Sequence, residues 1–309
     1  MRNFFKGGII FFLMTFILMS CNSENDPPVG STEPHNATLV RLDAYNDSLL
    51  LNAAPSSRGW FELSEAIAVV VSDAGGAYKG AGVGGAVGTA LGPAGTVVGA
   101  VVGGAVVGAA CSYSSYHMCE TIRRWGSSIF AGAPSATSLT SGDITNAYLV
   151  GMNESTISTT VENTEIGIES SVQGMSNAIE VGKKHNIILL TLFNGKHLSS
   201  SSKELNSTEK KVLESQEITK LINKILKEQH QIEIADSKSL SDQAFSRFVT
   251  AVKTASNYKE LTLIAMTYIT ETSKSTELTQ AEKQALYNGY ITACYSFKFW
   301  DYVLKDFQP

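Results

Sequence analysis

The sequence predicts a mainly α-helical protein, in which a glycine-zipper helical hairpin and a C-terminal helical bundle are joined by a Ser/Thr-rich linker. Three observations carry this expectation. Glycine recurs at a spacing of four through residues 75–110, which hold 13 of the chain's 26 glycines. No Asp, Glu, Lys or Arg occurs between residues 80 and 119. Beyond residue 183 apolar residues recur at helical spacing between capping signals.

The first 20 residues have the layout of a secretory signal peptide: Arg2 and Lys6, then an apolar run, then small and apolar residues before Cys21. An uncleaved membrane anchor is the alternative. Leu18-Met19-Ser20-Cys21 resembles the lipobox of bacterial lipoproteins, which implies cleavage before Cys21 and lipidation of its thiol. An acylated Cys21 is a firm anchor, because each buried methylene contributes about 0.8 kcal/mol. Residues 21–58 are expected to be a tether, beginning polar and proline-bearing with no apolar periodicity. After cleavage the chain carries 22 Lys and Arg against 29 Asp and Glu, and no concentrated basic face marks nucleic acid as a partner.

The hairpin is expected over residues 59–124. Gly76, Gly80, Gly84, Gly88 and Gly92 form one series, and Gly95, Gly99, Gly103, Gly104 and Gly108 continue it after Pro93. A flexible linker has no use for such register. A helix has, since residues four apart share a face and glycine there lets another backbone come close. Gly92-Pro93 has the glycine-then-proline order of a helix-to-helix joint, so the arms are expected at about residues 63–91 and 94–112. The uncharged span exceeds the roughly 20 residues needed to cross a bilayer. Yet its strong membrane formers in residues 94–111 are six valines, worth about 2–4 kcal/mol together. Marginal insertion suits a segment that is stored in a soluble form and inserts later, with these ten glycines mediating helix packing in the membrane.

Arg58 lies in a Pro/Ser/Gly context and Arg123-Arg124 precede a Gly/Ser/Pro-rich stretch. Exposed loops are where proteases cut, so Arg58, Arg123 and Arg124 are candidate cleavage sites that would free residues 59–124. The other reading is that they merely flank an apolar segment. Cys111, Cys119 and Cys294 leave an odd count, and a Cys111–Cys119 disulfide requires the segment between them to turn back on itself.

Residues 125–182 are expected to be a Ser/Thr/Gly-rich linker region, and residues 183–309 the bundle. Within it, helices are expected at about 207–229, 242–256 and 259–272, and a Thr279/Glu282 capping box opens the last. No metal-protease, redox, nucleophile-elbow or phosphate-loop motif is present; His117 beside Met118 and Cys119 could bind a metal, but neither a metal, a cofactor nor enzyme activity is expected. Val181, Gly182, His185 and Asn186 resemble a Val-Gly-x-x-His-Asn pattern in other Bacteroidota lipoproteins, which implies shared structure.

Taken together, lipobox, tether, glycine zipper and helical tail resemble the antibacterial lipoprotein toxins of gut Bacteroidales that are activated by proteolysis. That resemblance implies a bacteriocin-like, pore-forming action on the target envelope and an outer-membrane or cell-surface location. It also implies a target outer-membrane glycolipid and an activating protease as partners, beside membrane lipid and self-association. A structural glycine-zipper envelope lipoprotein without toxin activity is the alternative.

Overall fold

A computed structural model describes residues 36–52, 60–119, 138–152, 168, 171–195, 205–228 and 239–305. These residues form ten α-helices within one compact unit, Asn36–Pro309. The helices are α1 (Ala37–Asn52), α2 (Trp60–Thr89), α3 (Gly92–Met118), α4 (Ser141–Gly151), α5 (Met175–Phe193), α6 (Ser207–Leu213), α7 (Gln216–Glu228), α8 (Leu240–Val252), α9 (Tyr258–Ser273) and α10 (Gln280–Lys305). The mainly helical class holds.

α2 and α3 are the hairpin, and they pack against each other along their length at the centre of the unit. The joint is built as the local sequence demands. Gly92 sits at φ +84°, a left-handed conformation that favours glycine, and Pro93 lies in the first turn of α3. Thr89 and Thr96 hydroxyls meet at 3.1 Å across the tip.

Two apolar clusters flank the hairpin. One gathers α3, α4, α5, α6 and α7 with residues of α2 and the C-terminal part of α10, where Trp300 stacks on Tyr116 at 5.6 Å between ring centroids. The other gathers α1, α2, α8, α9 and α10, with Phe248 and Tyr290 at 4.4 Å. Trp300 is fully buried, a core residue rather than part of a ligand site.

The segmental division gives way to a shared core. Residues 37–52, expected in the tether, form α1; Asn36 caps it by accepting from Thr38 N at 2.9 Å, and the helix packs on α8 and α9. Within the expected linker, Thr140 and Asp143 form a capping box that starts α4, and α5 begins at Met175, before the expected bundle. The single helix expected at 207–229 is two: Asn206 caps α6, and a break at Glu214-Ser215 separates it from α7. The Thr279/Glu282 capping box is present, with Glu282 N donating to Thr279 Oγ1 at 3.2 Å. No disulfide joins Cys111 to Cys119. α3 runs straight through Met118, and eight residues of helix separate the two by about 12 Å, beyond bridging distance.

Burial in this core has a consequence for alkaline stability. Desolvation pushes the Cys294 thiol up to about 12, and raises the phenols of Tyr148, Tyr268 and Tyr290 well above their usual range. These groups keep their protons in the folded protein, while the unfolded chain releases them near pH 9 to 10. The stability they contribute is present below those values and declines as pH rises through them, by up to about 1.4 kcal/mol per pH unit for each group. Urea unfolding is therefore expected to show a lower midpoint at pH 10.5 than at pH 8. An unchanged midpoint would mean these side chains reach water in the folded state.

Candidate functional site

The glycine seam is an interlocking pair of backbones. Gly80 faces Gly103, Gly84 faces Gly99 and Gly88 faces Gly95, and in each pair a methyl group on either residue would overlap the partner's carbonyl oxygen. At the base, a Cβ on Gly76 would lie 2.7 Å from Cys111 Sγ and 2.9 Å from Gly108 Cα. The remaining expected seam residues do other work. Gly92 makes the turn, with nothing near its missing side chain. Gly104 and Gly108 admit α5: a Cβ on each would lie 3.2 Å from Val181 Cγ1 and from His185 Cδ2 respectively. The ten glycines thus serve an intramolecular hairpin and its contact with α5.

Among the described residues, α3 is the one helix long and apolar enough to cross a membrane by length and composition, and 78% of its most apolar window is buried inside the protein. The tip emerges from this enclosure. Ala86, Ala90, Pro93 and Ala94 are exposed, as are Leu91 at 44% and Val97 at 37%. Since residues 80–119 contain no charged Asp, Glu, Lys or Arg, the emerging surface is uncharged.

Farther from the tip, polar groups tie the hairpin to its wrapping. Lys79 Nζ lies 2.5 Å from Asp242 Oδ1 on α8, and Tyr78 donates its hydroxyl to the same oxygen at 2.8 Å. Asp73 is completely buried; its Oδ2 accepts from Ser112 of α3 at 2.7 Å and from Ser296 of α10 at 2.5 Å. His185 of α5, also completely buried, brings Nε2 to 3.5 Å from that oxygen. The four residues of the Val-Gly-x-x-His-Asn pattern all face this core. Val181 lies against Gly104, Gly182 against the Tyr295 ring and His185 against Asp73, and Asn186 donates to Tyr295 O at 3.3 Å.

The sequence did not single out Asp73, and it offered His185 only through the Val-Gly-x-x-His-Asn pattern. The available signal was that Asp73 and Lys79 are the two charged residues between positions 66 and 119. His117 packs its ring against Tyr113 and Tyr116, and no group of three His, Cys, Asp or Glu side chains among the described residues is arranged to hold a metal ion. A cleft of about 150 Å³ lies between Val98 and Val101 of α3 and the charged pair Lys184 and Glu209. Lys184 is engaged there by Glu180 at 3.4 Å and Glu209 at 3.9 Å. Cys21, Arg58, Arg123 and Arg124 lie outside the described residues.

The hairpin and its wrapping therefore stand on their own geometry: no protein-family model matches this chain, nor does any curated protein or solved structure.

Proposed function

We propose that this protein is a surface or secreted lipoprotein that stores a membrane-inserting hairpin and acts as an antibacterial, bacteriocin-like toxin without enzymatic activity. The observation that carries the reading is a hairpin whose tip and second arm, residues 80–119, are uncharged, with α3 of membrane-crossing length, sealed along its own glycine seam, enclosed by helices and exposed at its apolar tip. Such a hairpin satisfies its backbone hydrogen bonds internally, which a bilayer requires. Its arms stay in register by close packing, which still operates in lipid, where apolar burial between helices does not. The wrapping helices supply the apolar cover that water demands. On this reading the tip meets the lipid first, Cys21 anchors the chain, and a target glycolipid docks it.

Proteolysis alone does not free the hairpin. It shares its core with α5 and α10, so cutting at Arg58 and at Arg123 or Arg124 removes only the covalent restraint and leaves the packing intact. Arg41 and Arg247 lie within helices and pair with Glu271 and Asp43, which disfavours cutting there. The test is dye leakage from liposomes and from vesicles of target outer membrane, with mature protein before and after mild Arg-specific proteolysis. Leakage is expected after cutting and only at a membrane. Its absence from both vesicle types, cut and uncut, overturns the reading. Enclosure of α3 also suits a structural envelope lipoprotein; that alternative predicts an envelope defect in the producing cell on deletion and no harm to neighbours.

A further inference from the structure

We propose that Asp73, bonded by Ser112 and Ser296 beside the imidazole of His185, is the latch that keeps the hairpin stored. The role assigned to its release rests on the membrane-insertion reading above.

One carboxylate joins four helices. Asp73 belongs to α2, Ser112 to α3, His185 to α5 and Ser296 to α10, and the first three are wholly buried, as is Ser296. The orientation of the imidazole follows from its neighbours. Asn186 gives its amide hydrogen to Tyr295 O, which turns its Oδ1 toward His185 Nδ1 at 2.9 Å. Nδ1 therefore carries a proton and donates, leaving Nε2 to face Asp73. Asp73 Oδ1 has no hydrogen-bond partner among the described residues, and neither does His185 Nε2. Among the described residues the carboxylate is thus bonded through Oδ2 alone. Parting the helices would take a serine donor away from this buried carboxylate, so the contact resists partial opening.

Position along the hairpin separates a latch from ordinary core polarity. Leu91 at the tip lies eighteen positions after Asp73, which at 1.5 Å per residue is about 27 Å. That is close to the roughly 30 Å of a bilayer's hydrocarbon core. With the tip at the far side of the hydrocarbon, Asp73 and Ser112 arrive at the entry-side headgroups, where water answers both carboxylate oxygens. Lys79 would lie about 9 Å inside that boundary, within reach of it through its long stem. The group that restrains the stored hairpin is thus the one whose solvation improves when the hairpin leaves.

Hydrogen exchange of the intact, vesicle-free protein tests the latch. Asp73→Asn and His185→Gln are each expected to raise exchange in α3 peptides at least tenfold, with α9 peptides unchanged. The double variant is expected to add less than twofold to either single one, because both remove one shared contact. Ser296→Ala, which removes a hydrogen bond and no charge, should give a smaller rise of the same pattern, and it keeps the test open if Asp73→Asn does not fold. Unchanged α3 exchange, additive effects or equal acceleration in α9 overturns the latch. The same variants added uncut to phosphatidylethanolamine/phosphatidylglycerol vesicles should leak dye where the wild type does not. Faster α3 exchange without leakage from any protein, cut or uncut, overturns the membrane reading and leaves the latch standing.

Discussion

Replacing Gly84 by alanine is expected to destabilise the folded protein by about 3 kcal/mol, the upper end of the usual cost of overpacking a close contact. Replacing Gly82 by alanine should instead stabilise it by up to about 1 kcal/mol. The two residues lie in the same helix, two positions apart. A methyl group at Gly84 overlaps the carbonyl oxygen of Gly99 and approaches Gly103 Cα at 2.9 Å. Both are backbone atoms of a helix that cannot rotate away. At Gly82, an exposed position, nothing lies within 4 Å of the added carbon, so alanine's better helix propensity acts alone. Urea unfolding of the two variants measures the difference. Equal effects would show that the arms are not in backbone contact. The enclosure of the hairpin also changes what larger substitutions report. Placing leucine at Gly84, Gly88 and Gly99 would be expected, for a hairpin separate from the bundle, to leave the C-terminal helices folded. With α2 and α3 at the centre of a shared core, that variant is expected to lose the whole unit.

Tying the hairpin to α5 is expected to block membrane damage. A Cβ on Gly104 would lie 3.2 Å from Val181 Cγ1, which sets Gly104→Cys and Val181→Cys at a separation suited to a disulfide. In a Cys119→Ser background, the oxidised protein should remain folded and leak at least tenfold less dye from vesicles after Arg-specific proteolysis. Reductant should restore leakage to the level of the uncrosslinked protein. The reasoning is steric: lipid can receive the hairpin only if α3 parts from α5, and the bridge forbids that while leaving the stored packing unchanged. Equal leakage in the oxidised and reduced states would mean that membrane damage, if present, comes from another part of the chain.

The hairpin was legible because its signals are local. Spacing four identifies a helical face from a few neighbouring residues, and Gly92-Pro93 specifies a chain reversal through a left-handed glycine and a proline in the next helical turn. The capping box at Thr279 and Glu282 was legible for the same reason, being complete within four residues. α1 and α4 were not. Their apolar residues are only weakly periodic, and each is held largely by distant partners. Asn46 of α1 bonds the carbonyl of Arg247 and the hydroxyl of Tyr268, and Tyr148 of α4 donates to Glu209 at 2.7 Å. Tertiary packing overrides weak local preference in such segments.

From the sequence alone came the helical class, the uncharged length of residues 80–119 and the pairing of the two glycine series, since periodicity and missing charge are properties of consecutive residues. Only the tertiary structure decided what surrounds that hairpin and which groups restrain it. Asp73 meets Ser296, 223 positions away, and His185 across a third helix. No local pattern specifies those meetings, because the burial of a carboxylate depends on where distant helices exclude water.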